Sequence, residues 1–262
     1  MDVSNRDKAR TILWSFVRQP TKRFVSDFFY FAVSRRGYPP EGTIFNTLAN
    51  HRPIKSSNYQ VRYLHPDTLP VAVEQSDEAQ PELMYNATTQ VERILQEYDF
   101  LGITERFDES IVALQLLFHL DVHDILSLLT NKGGGWDSVS DEFGNRCFKI
   151  QRSYMTDEMK TTFASNDWYK RNTGDFLLYQ AANRSLDLTI EHTIGRKKFD
   201  AAMETYLYYK EKTKVCEAGV LFPCDEQGQF QRGNSSKNCY YDDLGKFYFG
   251  CVNSLCLLFS IL

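Results

Sequence analysis

After a polar stretch at 1–11, the chain runs into Ile12-Leu13-Trp14-Ser15-Phe16-Val17, a run of strand length that is mostly apolar and aromatic. Pro20 comes next at a position suited to the first turn of a helix, where its missing N–H costs nothing. Phe24, Phe28 and Phe31 then recur at helical spacing, which predicts a helix from Thr21 to Arg35 or Arg36, ended by Gly37-Tyr38-Pro39-Pro40-Glu41-Gly42. Residues 43–50 read as a short helix. Residues 51–65 read as irregular, interrupted by Asn58-Tyr59-Gln60-Val61-Arg62-Tyr63-Leu64, and 66–83, rich in Pro, Glu, Asp and Gln, read as an exposed loop.

The strand-then-helix pattern returns further on. A helix from about Thr88 carries Val91, Ile94, Leu95 and Tyr98, and Asp99-Phe100-Leu101-Gly102-Ile103 reads as a short buried strand. Thr104 to Ser110 opens an apolar helix through Ile111, Val112, Leu114, Leu117, Phe118 and Leu120, with acids in its first turn opposing the helix dipole. Val122, Ile125, Leu126, Leu128 and Leu129 fit either a further strand or a continuation of that helix. A short helix capped at Thr156 is expected over 153–165, a longer one from near Asn172, and another after Gly195.

Totals narrow the classes. A chain of 262 residues suffices for one large domain or two small ones, and a net charge of −4 argues against general nucleic-acid binding. The charge is uneven. Residues 1–36 hold eight Lys/Arg against three acids, whereas 67–124 hold thirteen acids against only Arg93 and Arg106. That fits either an enzyme drawing a polyanionic ligand to one edge or two solvated faces that differ. Of six cysteines, five fall late, at Cys216, Cys224, Cys239, Cys251 and Cys256, and none forms a C-x-x-C pair. Such clustering suits disulfides in an oxidising lumen, with Cys216–Cys224 and Cys239 with Cys251 or Cys256 as candidate bridges and Cys147 distant in sequence. Sequons stand at Asn86, Asn183 and Asn234, and no apolar run of signal-peptide kind comes after Met1. Residues 247–262 are apolar but too short and interrupted to span a bilayer.

Arg18 stands at the carboxyl end of the first strand and Ser26 eight positions later, about two turns into the next helix. Ligands of open α/β sheets bind at the carboxyl ends of strands. There an arginine fork and a hydroxyl make a phosphate site, and the alternative is a surface pair at a strand–helix junction. The order Arg18, Pro20, Arg23, Ser26, then aromatics, resembles the 3′-phosphate-binding segment of sulfotransferases that use 3′-phosphoadenosine 5′-phosphosulfate (PAPS), with Gln19 where the family commonly has Asp. Phe100 to Ser110 resembles the Φ-G-Φ-T-E segment (Φ apolar) of the membrane-bound carbohydrate sulfotransferases, the branch that includes uronosyl 2-O-sulfotransferases, and lies about 80 residues after the first segment, as it does there. The pattern from Asp175 through Leu186, with a second helix after it, and Cys239-Tyr240-Tyr241-Asp242-Asp243-Leu244-Gly245 are similar to the ends of such proteins.

The resemblance implies an α/β, P-loop-like sulfotransferase fold, a parallel sheet flanked by helices. The family's first strand and 5′-phosphosulfate loop do not precede Ile12. The sulfotransferase domain would cover 1–215 and a cysteine-containing tail 216–262. The implied activity is transfer of a sulfuryl group from PAPS to a carbohydrate hydroxyl, without a metal. Arg18 and Ser26 would hold the donor's 3′-phosphate. The alternative is a non-catalytic relative that binds nucleotide or sulfated glycan. Expected location is the Golgi or secretory lumen, with membrane association through a segment outside this chain. Asn58, Gln60 and Arg62 are candidates for ligand contact, although a partly buried connecting segment explains them better. Glu105, Asp108 and Glu109 read as structural or capping carboxylates. None of His51, His65, His119, His123 and His192 inherits the role of base. His119 and His123 would share a helix face but lack an acidic helper for a metal site. Gly133-Gly134-Gly135 lacks the Lys-Ser/Thr of a nucleotide loop.

Overall fold

Two short strands lie side by side at the centre of the molecule. The computed structural model describes residues 6–51, 57–64, 87–126, 134–141, 144–217, 224 and 227–230. Strand β1 (Trp14–Val17) pairs in parallel with β2 (Phe100–Ile103), in the register Trp14 to Phe100 through Val17 to Ile103. Every residue of β2 is buried, as expected of a parallel strand covered on both faces. Gly102 faces Phe16 across the pair, and the Phe16 ring lies so close that a Cβ on Gly102 would come within 2.6 Å of it. The glycine of Phe100-Leu101-Gly102-Ile103 is therefore a seat for an aromatic ring, which stacks onward against Phe107 at 5.4 Å.

Helices dominate the remainder. They are α1 (Pro20–Asp27), α2 (Thr43–His51), α3 (Tyr59–Leu64), α4 (Ala87–Glu97), α5 (Phe107–Phe118), α6 (Asp157–Ala164), α7 (Asn166–Arg171), α8 (Thr173–Leu188) and α9 (Arg196–Glu217). Helices α5 and α8 pack against β2, and α4 packs along α8. Val17, Ile103, Val112, Leu178, Ala182, Leu186 and Ile190 form the inner core. A second, aromatic core gathers Phe24, Phe28, Phe29, Phe45 and Trp168, with Phe24 and Trp168 ring centres 5.0 Å apart. The architecture is mixed α/β and mostly helical, and the parallel sheet has two strands among the described residues.

Several expectations are corrected. The helix expected over 21–36 is α1 continued by a π-helical segment, Phe28–Ser34, in which the Arg35 N–H reaches back five residues to the Tyr30 carbonyl. Helix α5 stops at His119, which takes a left-handed φ of 54°. Beyond it, the described residues to Leu126 form a single 3-10 turn, Val122–Asp124, closed by reciprocal bonds between Asp121 and Asp124, and Leu128 and Leu129 lie outside the described residues. His119 and His123 therefore do not share a helix face.

An antiparallel hairpin, β3 (Trp136–Asp141) with β4 (Gly144–Lys149), was not anticipated. It carries Cys147, which forms a disulfide with Cys224, in place of the expected Cys216–Cys224 pair. The hairpin brings together two cysteines 77 positions apart, and the Cys224 backbone is pinned beside Phe230 by an isolated bridge. The loop at 66–83, Asn86, Asn234, the other late cysteines' side chains and the apolar segment 247–262 lie outside what is described. Among the described residues no helix is long and apolar enough to cross a membrane.

Candidate functional site

Parallel pairing brings the carboxyl ends of β1 and β2 to one edge, and side chains close both ends. At β2, the Ser110 hydroxyl of α5 accepts the Ile103 N–H at 2.8 Å and returns a longer bond of 3.3 Å to the Ile103 carbonyl. At β1, the Gln60 amide of α3 does the same for Arg18. Its Oε1 accepts the Arg18 N–H at 2.7 Å and its Nε2 donates to the Arg18 carbonyl at 2.8 Å, as a neighbouring strand would. The next residue is held by β2's own continuation. The Gln19 N–H donates to the Glu105 carboxylate at 3.1 and 3.3 Å, and the Gln19 side chain turns forward to cap α1, accepting the Lys22 N–H at 2.7 Å. Burial first, then the nearby Glu105 carboxylate, pushes the phenol pKa of Tyr179 on α8 up.

Helix α3 is fastened in turn by α8. The Asp175 carboxylate, wholly buried, accepts the N–H groups of Gln60 at 3.1 Å and Val61 at 2.9 Å. The Asp175 N–H donates to Asn58 Oδ1 at 3.2 Å, and the Asn58 N–H to Asn172 Oδ1 at 3.3 Å. Each helix start thus caps the other, which meets the need of unpaired N–H groups at buried helix ends. Asn58 has a left-handed φ of 44°, and Gly174 admits the contact because a Cβ there would stand 3.0 Å from Asn58 Oδ1.

Three arginines converge on this edge with different commitments. Arg23 is 4% exposed, forms an ion pair with Asp27 and lies 4.2 Å over the Tyr59 ring. Burial raises the Asp27 pKa, and the Arg23 charge opposes it. Arg62 is half-buried; burial lowers its pKa and the Asp175 charge offsets part of that. Arg18 is also half-buried and its pKa is lowered by burial, against the pull of Glu105 and Asp27. Among the described residues no hydrogen bond or ion pair takes its guanidinium; only its main chain is bound. Asp27 sits next to Ser26, so the guanidinium is within Coulombic reach of the second turn of α1. Ser26 is half-buried, with no hydroxyl bond among the described residues.

The remaining candidates serve the fold. Arg106 donates to Glu109, to Asp187 and to Asn183 Oδ1, and Asp108 accepts from Tyr206 and Lys210. The Asn183 sequon is thus on helix α8 with its amide oxygen engaged. Asn58 and Gln60 are structural ties rather than exposed contacts. His123 packs on Tyr209 at 5.0 Å, His192 is exposed, and His65 lies outside the described residues. Among the described residues no group of three His, Cys, Asp or Glu side chains is placed to hold a metal ion. Sequence reasoning missed the roles of Gln60, Asp175 and Ser110; an acid in the first turn of α8 and a hydroxyl one turn into α5 were the available signals.

No family model, curated protein or solved structure matches this chain.

Proposed function

We propose that the carboxyl edge of β1 binds the 3′-phosphate of PAPS, that the chain has a P-loop-like sulfotransferase fold, and that it transfers the sulfuryl group to a carbohydrate hydroxyl. The single observation that carries the reading is Arg18. It is a half-buried guanidinium at the end of a parallel strand, its main chain tied at both N–H and C=O, and its five donors have no hydrogen-bond partner among the described residues. Ser26, on the α1 that follows, adds a hydroxyl with no hydrogen bond among the described residues. A phosphate dianion matches both, through a charge-assisted fork and a neutral donor. In the transfer, the acceptor oxygen bonds to sulfur as the bond from sulfur to the phosphate oxygen breaks. Adenosine 3′,5′-bisphosphate leaves, and the acceptor's proton goes to a base. The groups above serve to hold the donor still, which is where positioning supplies much of the rate.

Calorimetric titration with adenosine 3′,5′-bisphosphate tests the reading. The wild type should bind it more tightly than adenosine 5′-monophosphate, and Arg18→Ala should lose on the order of 2 kcal/mol or more, together with that preference. Equal affinity in the two proteins removes Arg18 from the site. Radiolabelled transfer from PAPS to a panel of glycans separates an enzyme from a binding protein.

A further inference from the structure

We infer that Gln60 is a positioning residue for the nucleotide site, acting through the main chain of Arg18, and that Asp175 sets Gln60 in place. The inference rests on the reading of Arg18 as a phosphate ligand. The geometry forms a short chain of causes. Asp175 is wholly buried on α8 and holds the first N–H groups of α3. That fixes the start of α3, a helix of only six residues that would be marginal alone. Gln60, 7% exposed, then projects its amide onto Arg18 and takes both of its main-chain groups.

Arg18 has left the ladder of β1 and has not yet entered α1, so neither element supplies these bonds. Without Gln60, the N–H and C=O of Arg18 itself are unheld, and its φ and ψ are constrained only through its neighbours, Val17 paired with Ile103 and Gln19 bonded to Glu105. The guanidinium sits at the end of a long side chain, so a small rotation at its Cα moves it by ångströms. A fork that must meet a phosphate bidentately loses most from that freedom. Gln60 directs one N–H and one lone pair of its amide at the Arg18 main chain and is 7% exposed, so its amide faces the backbone. This explains why a buried glutamine stands beside an anion site without being part of it.

The experiment is a double-mutant cycle on binding of adenosine 3′,5′-bisphosphate, with Gln60→Met, Arg18→Ala and the double variant. Methionine fills the glutamine's volume and keeps the helix but makes neither bond. Gln60→Met should bind about tenfold more weakly, and the double variant no more weakly than Arg18→Ala alone, because the effect passes through Arg18. Gln60→Glu gives a second reading should the methionine variant fold poorly. It keeps the acceptor for the Arg18 N–H and loses the donor to the Arg18 carbonyl. Its affinity relative to the wild type at the same pH should recover as acid restores a proton to that carboxylate. Wild-type affinity in Gln60→Met, losses that multiply in the double variant, or a Gln60→Glu deficit that is flat with pH would each overturn the positioning role while Arg18→Ala remains weakened. Unchanged binding in Arg18→Ala overturns the phosphate reading itself.

Discussion

Replacing Asp175 by alanine should cost the protein about 3 kcal/mol, and the structure supplies the terms. The carboxylate is 0% exposed and accepts two helix-start N–H groups, at 3.1 Å from Gln60 and 2.9 Å from Val61. Alanine leaves both donors buried without an acceptor, and an unsatisfied buried donor costs roughly 1–3 kcal/mol. Loss of a capping side chain alone is worth about 1 kcal/mol. Against this, removing a buried carboxylate relieves its own desolvation, the effect that raises its pKa in the first place, so the two donors' costs do not add in full. About 3 kcal/mol is a large share of the roughly 5–15 kcal/mol that holds a typical domain. For a chain of this size it should lower the melting temperature by roughly 6–12 °C. Urea unfolding monitored by circular dichroism gives the free energy, and a thermal scan gives the shift. Asp175→Asn retains one acceptor oxygen and should fall between the wild type and Asp175→Ala. A loss below about 1 kcal/mol in Asp175→Ala would mean that α3 is held by something other than this cap, and Gln60 would then not owe its placement to Asp175.

Two further outcomes come from other contacts. Reduction of Cys147–Cys224 opens a loop of 77 residues, so a chain-entropy cost on the order of 4 kcal/mol should appear as a lower urea midpoint in reductant, and non-reduced peptide mass spectra should show the linked pair. The Tyr30 phenol is pushed up to about 12 by burial and by its bond to the Asp137 carboxylate. A raised acid contributes stability that is whole below the unfolded phenol's value, near 10, and fades as pH rises through the folded value. The wild type should therefore lose stability between about pH 10 and 12, and Tyr30→Phe should lose less over the same interval. Parallel curves for the two proteins would refute this.

Local pattern made parts of the fold legible and long-range contact hid the rest. The run at 12–17, the proline entry to α1, the strand around Gly102 and the cap at Thr156 were all readable, because each is decided within a few residues. The β3–β4 hairpin was not. Its strands, Trp-Asp-Ser-Val-Ser-Asp and Gly-Asn-Arg-Cys-Phe-Lys, are mostly polar, and its small core buries little more than Val139, Phe148 and Ile150. Missing the hairpin also hid the partner of Cys147. At the site, the spacing of Arg18 and Ser26 was visible in the sequence. The separation of roles between Gln60 and Asp175 was not, because a buried amide and a capping carboxylate look alike in a string of letters to groups that bind ligand.

Arg18 and Arg23 show why the order of residues in such a segment is not enough. They lie five positions apart, carry the same charge, and stand in the same segment, which resembles a phosphate site. The fold spends Arg23: it is buried, paired with Asp27 and laid across Tyr59, so losing it would leave a carboxylate uncompensated and a ring uncovered. The carboxylates near the edge are spent too. Asp27 answers Arg23, Asp175 answers the start of α3, and Glu105 answers Gln19 and Tyr179. What is left over is the Arg18 guanidinium, desolvated enough for its pKa to fall and yet unmatched by hydrogen bond or ion pair among the described residues. Glu105 and Asp27 act on this half-buried cation through space, without a hydrogen bond or ion pair to it among the described residues, so part of its desolvation cost stays in place. If Arg18 takes the phosphate as proposed, the anion would relieve that cost, and Arg18→Ala would lose that contribution to binding. On the proposed reading, Gln60 and Glu105 then serve to hold the backbone around Arg18 still, through the Arg18 and Gln19 main chain.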